Sequence, residues 1–235
     1  MAISLVGLDA DDTLWHNETI FRLTHERFNA LLADFADAGT VETRLTEIER
    51  RNLAVYGYGA KGFTLSMLET ALEISDRQAS TAVIAEILAA GREMMAHPID
   101  PLPGVREALE VLAAESRLVL ITKGDLFHQE QKLAASGLGS LFHGVEVVSE
   151  KTADTYVRAF ARHGGSAETA LMAGNSVRSD ILPALAAGAH AALIPYPLVW
   201  AHEAADPPAD HPRYRELTSL ADLPGWIEEL RTSPR

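Results

Sequence analysis

Five short apolar runs are the feature that most constrains the fold of this chain. Apolar character that is continuous rather than alternating is typical of strands covered on both faces. A helical pattern closed by glycine follows most of the later runs. Strands alternating with helices predict a doubly wound, Rossmann-like α/β fold with a parallel sheet. The runs occupy residues 3–8, 117–122, 144–149, 169–174 and 190–195.

The spacing of these runs is uneven. The later runs follow one another at intervals of roughly 25 residues, near the size of a βαβ unit, whereas the first run lies far from the second. Residues 16–97 contain no convincing strand and show helical patterns instead. We therefore predict an α/β core domain formed by residues 1–15 and 98–235, with an all-helical subdomain, 16–97, inserted after the first strand.

Local signals give three further expectations. The first helix of the insertion is predicted over residues 18–39. Ser75 and Gln78 have capping-box spacing at the start of a helical pattern over residues 76–96. Residues 205–216, which are rich in proline, are predicted to form an exposed loop.

The charge balance and the absence of cysteine exclude several classes of function. Acidic residues outnumber basic ones 33 to 20, for a net charge of −13. Nucleic acid and anionic membrane surfaces are therefore not expected partners, because both would be repelled. The chain has no cysteine, which excludes disulfides, zinc–thiolate sites and thiol catalysis. No secretory signal is visible, and the expected location is the cytoplasm.

One uncharged stretch needs a separate account. Residues 181–201 carry no formal charge, but Pro183, Gly188, Pro195 and Pro197 interrupt them. We predict a short helix ending at Gly188 followed by a buried strand, and no membrane span.

Polar side chains follow four of the predicted strands. Singly, each has an ordinary explanation: an Asp-rich turn, a helix cap, a solvated lysine, or a carboxylate near a helix N-terminus. The carboxyl ends of parallel strands lie on one edge of a sheet, so together they predict a single site. Carboxylates as close in sequence as Asp9 and Asp11 would need a cation or a shared proton to converge. The residues are Asp9, Asp11, Thr122, Lys123, Lys151, Asn175 and Asp180, together with the backbone of Gly124.

These residues also carry a family pattern. The sequence resembles the haloacid dehalogenase (HAD) superfamily, with a helical (C1-type) cap inserted after the first motif. The motif Asp-x-Asp-x-Thr is matched by Asp9, Asp11 and Thr13. The second and third motifs are matched by Thr122 and Lys151, and the fourth by Gly174, Asn175 and Asp180.

The resemblance implies a Mg²⁺-dependent phosphatase, with Asp9, Asp11, Thr122 and Lys151 as its catalytic residues. Asp9 would be the nucleophile and form an aspartyl-phosphate. Asp11 would protonate the leaving oxygen and then activate water. Thr122, Lys123, Gly124 and Lys151 would hold the phosphoryl group. Mg²⁺ would bind Asp9, the backbone carbonyl of Asp11, Asn175 and Asp180.

Asp11 bears on which chemistry the family resemblance implies. A halide leaves without being protonated, so an acid at this position favours cleavage of a phosphate ester over carbon–halogen cleavage. The expected partner is a small phosphorylated metabolite, and the expected state is a monomer or homodimer. A phosphomutase with the same residues stays open, and a 2-haloacid dehalogenase or a non-catalytic metabolite-binding module are further alternatives.

Two positions near the motifs call for comment. Asn175 stands where the fourth motif usually has aspartate, which removes one negative charge from the predicted metal site, so we expect weaker Mg²⁺ binding. Asp12 has no role in the first motif, and we expect it to turn outward or to cap the following loop.

Overall fold

The computed structural model of the chain describes residues 3–198 and 200–232. These residues divide into two compact units. The α/β unit comprises the chain up to His16, Ile99–Lys123 and the chain from Gln129 onward. The helical unit comprises Asn17–Pro98 and Gly124–His128.

A parallel sheet in the order β3-β2-β1-β4-β5-β6 forms the α/β unit. All five predicted runs form strands in it, which confirms the doubly wound fold. The strand order reverses between β1 and β4, and ligands bind at such switch points in open α/β sheets. The strands are β1 Leu5–Leu8, β2 Arg117–Lys123, β3 Gly144–Val148, β4 Ala170–Gly174, β5 His190–Leu193 and β6 Tyr214–Glu216.

The α-helices of the described residues occur in two groups along the chain. The first four lie between β1 and β2: α1 Glu18–Leu31, α2 Ala38–Tyr56, α3 Ala60–Ile74 and α4 Thr81–Ala96. The others precede or follow the later strands: α5 Val105–Glu115, α6 Leu126–Ser136, α7 Ala153–Arg162, α8 Leu182–Ala186 and α9 Leu223–Thr232.

Successive residues of the central strands enter two different cores. Val6 packs in a cluster that contains Trp226 of α9, whereas its neighbour Leu5 packs in a cluster that contains Phe160 of α7. Because side chains alternate between the faces of a sheet, both faces of β1 must be covered. This explains why the strand sequence is apolar throughout rather than alternating.

The predicted first helix of the insertion is too long. It was expected over residues 18–39, but α1 ends at Leu31 and α2 begins at Ala38. Asp37 caps the second helix, because its side chain accepts a hydrogen bond from the amide of Thr40 at 3.0 Å. An N-cap residue starts a helix and has non-helical backbone angles, so the chain is interrupted there.

The capping box predicted at Ser75 and Gln78 is wrong. Asp76 and Arg77 have φ values of 49° and 62°, so the chain is not helical after Ser75. Helix α4 instead begins after Ser80, whose side chain accepts a hydrogen bond from the amide of Val83 at 3.3 Å. The real cap lies five residues later than the predicted one.

The exposed loop predicted for residues 205–216 is wrong at its C-terminal end. Tyr214–Glu216 form the edge strand β6, which pairs in parallel with β5. The stretch 181–201 divides as predicted, with α8 ending before Gly188 and β5 following it. No helix in the described part of the chain is long and apolar enough to cross a membrane.

Glu49 gives the helical unit a pH-dependent stability. This residue of α2 is buried, and burial raises the pKa of its carboxyl from 4.5 to about 7. The folded protein keeps the proton at pH values where the unfolded chain releases it. The contribution of Glu49 to stability is therefore highest below about pH 4.5 and falls until about pH 7, by about 3 kcal/mol in all.

We expect Glu49→Gln to remove this pH-dependent loss, so that the variant is the more stable protein at pH 8. Urea unfolding of the full chain at pH 5 and pH 8 measures the effect. Glu47→Gln on the same helix is the matched control, because that side chain is 48% exposed and should change the pH profile little. Identical pH profiles for Glu49→Gln and the unmodified protein would contradict the assignment.

Candidate active site

The chain turns sharply after β1 and folds back at Trp15. The amide of Leu14 donates to the carbonyl of Ala10, and that of Asp12 donates to the carbonyl of Trp15, both at 2.8 Å. Asp12 has φ 60°, a left-handed conformation that Asp adopts more readily than most residues. It is 6% exposed, so the expectation that it turns outward is wrong. The alternative, that it caps the following loop, stays a prediction.

Asp9 lies between a cation and a hydroxyl. Lys151 Nζ donates to its Oδ1 at 2.5 Å, and Thr13 Oγ1 donates to its Oδ2 at 3.2 Å. Burial, opposed by Lys151 and reinforced by Asp180, raises the pKa of Asp9 to about 7. One ammonium facing two buried carboxylates leaves a net negative charge, which favours the protonated form. A further cation here would stabilise the ionised form.

Lys151 joins two carboxylates that follow different strands. It lies shortly after β3, directly before Thr152, the N-cap of α7. Its Nζ donates to Asp180 Oδ1 at 2.6 Å as well as to Asp9. Burial alone would lower the pKa of Lys151, but Asp180 and Asp9 raise it above its ordinary value. The side chain therefore stays charged and draws both carboxylates together.

A π-helical turn after β4, Val177–Ile181, carries Asp180. Asp180 is fully buried, and its Oδ2 accepts a hydrogen bond from the amide of Ser176 at 2.9 Å. A Cβ atom on Gly174 would overlap with the Asp180 carboxylate, so glycine is needed where the side chain packs on the strand end. Lys151 and Ser176 thus engage both Asp180 oxygens, and its predicted contact with a metal stays a prediction.

Asn175 lies against oxygens of the first motif. In one orientation of its amide, Oδ1 accepts a hydrogen bond from Thr13 Oγ1 at 3.3 Å. Its other two neighbours, Asp11 O and Asp9 Oδ2, are themselves acceptors. In the other, the amide nitrogen lies 3.3 Å from both Asp11 O and Asp9 Oδ2 and donates to them. The first orientation brings together a carboxylate oxygen, a carbonyl oxygen and an amide oxygen. These three acceptors repel one another unless a cation lies between them.

This oxygen group fits the chemistry of Mg²⁺. The ion prefers oxygen ligands, and neighbouring ligands in its octahedral shell lie about 2.9 Å apart, somewhat less than the 3.3 Å spacing here. Among the described residues, no cluster of three or more His, Cys, Asp or Glu side chains could hold a metal. A metal would therefore depend on the Asp11 carbonyl and the Asn175 amide in addition to Asp9.

Asp11 makes a different set of contacts. Lys132 Nζ lies 2.8 and 3.0 Å from its two carboxylate oxygens, Trp15 Nε1 donates to Oδ1 at 2.7 Å, and Gln129 Nε2 donates to Oδ2 at 3.2 Å. Burial would raise the pKa of Asp11, but Lys132 and these hydrogen bonds hold it below its ordinary value. The carboxylate is held in its ionised form.

The three residues predicted at the end of β2 have different surroundings. Thr122 is buried, and its Oγ1 accepts from Gln129 Nε2 at 2.7 Å. The Lys123 ammonium lies 2.6 Å from Glu203 Oε1 and 2.9 Å from Ser179 Oγ, so the side chain is committed within the fold. Gly124 has φ 131°, which favours glycine, and groups with the helical unit. Phosphate binding by all three stays a prediction.

The family follows from comparison with known proteins. A family model described as haloacid dehalogenase-like hydrolase matches residues 3–188. This chain belongs to the haloacid dehalogenase-like (HAD) hydrolases. A solved HAD-like family hydrolase from Xanthomonas campestris is 44% identical, with a TM-score of 0.88 over 97% of this chain and 92% of that one. No curated protein matches the sequence.

More distant HAD structures share the fold alone. A 2-haloacid dehalogenase from Pseudomonas syringae is 21% identical, with a TM-score of 0.65 over 97% of this chain and 99% of that one. YfnB from Bacillus subtilis, assigned as a HAD-hydrolase and bound to magnesium, is 17% identical, with a TM-score of 0.66 over 97% and 99%. The family therefore shows a hydrolase, while the bond that is hydrolysed has to be argued from the site.

Within this HAD hydrolase, the structure brings most of the predicted site residues into two hydrogen-bonded groups, one around Asp9 and one around Asp11. Lys151 joins Asp9 to Asp180, Thr13 joins Asp9 to Asn175, and Gln129 joins Asp11 to Thr122. Sequence reasoning missed three donors or acceptors in this region: Gln129, Lys132 and Glu203. The only signal for the first two was their spacing of three on α6, which places them on one helix face.

Proposed function

We propose that this HAD hydrolase is a Mg²⁺-dependent phosphatase that cleaves a small phosphate monoester through an aspartyl-phosphate on Asp9. The observation that supports it most directly is a second carboxylate, Asp11, two residues after the nucleophile and linked through Gln129 to Thr122. An alkoxide leaving group needs a proton, whereas a halide does not. A carboxylate at this position therefore has a catalytic role in ester cleavage, and it would have none in carbon–halogen cleavage.

The proposed reaction has two half-reactions. An Asp9 oxygen attacks phosphorus, the bond to the ester oxygen breaks, and Asp11 gives that oxygen a proton, which the carboxylate must first take up from water when the substrate binds. Water then attacks phosphorus, Asp11 takes a proton from it, and inorganic phosphate leaves Asp9 free. Lys151 offsets the charge of Asp9 and of the transferring group. Thr122 and the amides near Lys123 and Gly124 hold the phosphoryl oxygens.

The proposed metal supplies positive charge for the phosphoryl oxygens and favours the ionised form of Asp9. Asp9, the Asp11 carbonyl and Asn175 would hold it, with Asp180 as a further ligand. Residues 16–97 are proposed to act as the cap, as the family resemblance implies.

A second candidate is a 2-haloacid dehalogenase, and one observation favours it. The Asp11 carboxylate accepts hydrogen bonds from three side chains that lower its pKa and keep it ionised. Lys132 makes the largest contribution to this effect. An ionised carboxylate cannot protonate a leaving group, and displacement of halide by Asp9 would not need it to. The phosphomutase alternative uses the same first half-reaction and differs in what accepts the phosphoryl group.

We expect the purified chain to release inorganic phosphate from 4-nitrophenyl phosphate when Mg²⁺ is present, and EDTA to reduce the rate by at least about 100-fold. A panel of phosphorylated sugars, nucleotides and small acids then defines the substrate. Halide release from 2-chloropropionate without phosphatase activity would overturn the proposal in favour of the dehalogenase. Phosphoryl transfer between sugar positions without phosphate release would favour the mutase.

The same assay tests the metal site. Asn175→Asp restores the negative charge that the family pattern usually has there, so this variant should reach half-maximal rate at a lower Mg²⁺ concentration than the unmodified protein. An unchanged Mg²⁺ dependence would separate Asn175 from the metal and leave the phosphatase assignment itself standing.

A further inference from the structure

Two buried side chains of α6 converge on Asp11. Lys132 contacts both carboxylate oxygens, at 2.8 and 3.0 Å, and Gln129 donates to Oδ2 at 3.2 Å. Lys132 is 8% exposed and Gln129 is 3% exposed. Their spacing of three residues places them on the same face of the helix. Neither residue belongs to the four motifs of the family pattern, so their burial and direction call for a separate explanation.

Trp15 binds the Asp11 carboxylate from a second side. This indole is fully buried in the core of the α/β unit, and its Nε1 donates to Asp11 Oδ1 at 2.7 Å. A ring fixed by core packing is a rigid donor, so it defines one direction of the carboxylate. Lys132 shares that oxygen and also contacts the other, which fixes the rotation of the carboxylate about its own axis.

Gln129 also contacts the residues that are predicted to hold the phosphoryl group. Its Nε2 lies 2.7 Å from Thr122 Oγ1 and 3.0 Å from the carbonyl of Lys123. One amide group therefore contacts the general acid–base and the predicted phosphoryl-holding hydroxyl. Charge balance alone does not require this, because the Asp11 side chain is 26% exposed and water can solvate it.

We propose that Lys132 and Gln129 are positioning residues that hold the Asp11 carboxylate in the orientation from which it exchanges a proton with the leaving oxygen and with water. The proposal rests on the phosphatase function proposed above. Neither residue contacts the reacting atoms. Lys132 acts through Asp11, so its removal should weaken only the steps in which Asp11 moves a proton. Gln129 also contacts Thr122, so its removal should in addition weaken phosphoryl binding with every ester.

The leaving group of the substrate separates this role from a structural one. 4-Nitrophenolate leaves as a stable anion, whereas an alkyl alcohol must be protonated as its bond to phosphorus breaks. The parameter kcat/KM reports the first half-reaction, in which this protonation occurs. We therefore compare kcat/KM for a series of phosphate esters from 4-nitrophenyl to simple alkyl phosphates, with Mg²⁺ present throughout.

Lys132→Met should reduce kcat/KM about 10- to 100-fold for alkyl phosphates and by less than about threefold for 4-nitrophenyl phosphate, because misplacing a catalytic group costs rate only where that group acts. Lys132→Arg, which keeps the charge and the donors, should recover part of the loss. Gln129→Leu should show a smaller selective loss together with a loss common to all esters, because it also removes the hydrogen bond to Thr122. Gln131→Leu, an exposed position on the same helix, should match the unmodified protein.

A double variant tests whether Lys132 acts through Asp11. Once Asp11→Asn has removed the acid, adding Lys132→Met should cause no further selective loss with alkyl phosphates. Thermal unfolding of each variant shows whether it is folded. Equal losses on all esters by a folded Lys132→Met would overturn the proposal, and so would a rise in its activity on alkyl phosphates, which would mean that the contacts restrain Asp11.

Failure of this inference is distinct from failure of the proposed function. If the unmodified chain hydrolyses the ester series and Lys132→Met keeps its leaving-group dependence, the positioning role is wrong and the phosphatase stands. If the unmodified chain hydrolyses none of these esters, the phosphatase assignment is wrong, and the positioning role, which depends on it, is wrong with it.

Discussion

Asp9→Asn is expected to reduce phosphate ester hydrolysis by at least about 10⁴-fold, the largest effect we predict on activity. The amide has nearly the same shape as the carboxylate, but its oxygen is a poor nucleophile, so no acyl-phosphate forms. Lys151 would keep its contact with Asp180, and the variant should therefore fold. Steady-state rates with 4-nitrophenyl phosphate and Mg²⁺ measure the loss.

Asp12→Asn is the matched control for this experiment. Asp12 is a buried aspartate in the same turn, no catalytic role is assigned to it, and Asn tolerates its φ of 60° at least as well as Asp does. We expect its rate to lie within about threefold of that of the unmodified protein. Acid-quenched protein should carry phosphate on Asp9 in the unmodified chain and none in Asp9→Asn. A rate for Asp9→Asn within tenfold of the unmodified rate would rule out Asp9 as the nucleophile.

The sheet could be predicted from sequence because burial on both faces leaves a strong signal. Every residue of β1 and β4 is buried, and the sequences of both strands are apolar throughout. Strand β6 gave no such signal. It has three residues, of which Arg215 and Glu216 are exposed and Tyr214 is half-buried, and its pairing with β5 depends on the sheet edge already being present.

The interruptions of the helical unit were harder to predict than the helices themselves. Residues 32–37 contain alanine and leucine, good helix formers that favour a continuous helix, yet the chain is interrupted there. Capping decides the outcome, because Asp37 and Ser80 each accept a backbone amide at the start of the following helix. Ser75 offers the same chemistry in sequence, and only the backbone angles of Asp76 and Arg77 exclude it.

The position of a residue relative to the sheet decides how well sequence predicted the site. Residues directly at strand ends, such as Asp9 and Asn175, lie at the same edge of the sheet because the strands are parallel. Their convergence could therefore be predicted from the sequence. Gln129 and Lys132 lie on a helix, where polar residues at this spacing usually face solvent. Which face of α6 points at Asp11 depends on the packing of the helix, and this packing leaves no local mark in the sequence.

Lys151→Met should destabilise the fold by about 3–5 kcal/mol, the largest effect we predict on stability. The ammonium lies 2.5 Å from Asp9 and 2.6 Å from Asp180, and its side chain is 2% exposed. Removing it leaves two buried carboxylates near one another without their cation. Lys61→Met is the control, because its ion pair with Asp125 has a lysine that is 50% exposed, and such pairs contribute less than about 1 kcal/mol.

The loss caused by Lys151→Met should depend on pH with a definite sign. The pKa of Asp9 is already raised to about 7 while Lys151 is present, and losing the cation raises it further. A folded-state pKa above the unfolded value makes the protein more stable at low pH and less stable as pH rises. The difference between variant and unmodified protein should therefore be largest near pH 8 and shrink towards pH 5, as measured by urea unfolding at both pH values.

Combining Asp9→Asn with Lys151→Met tests the cause directly. If the unpaired carboxylates destabilise the single Lys151 variant, removing one of them should restore part of the lost stability at pH 8 and have little effect near pH 5, where protonation already does so. If the double variant is instead as unstable as the sum of the two single changes at both pH values, Lys151 stabilises the fold through packing. In that case the charge balance that we assign to the Asp9, Lys151 and Asp180 group is wrong.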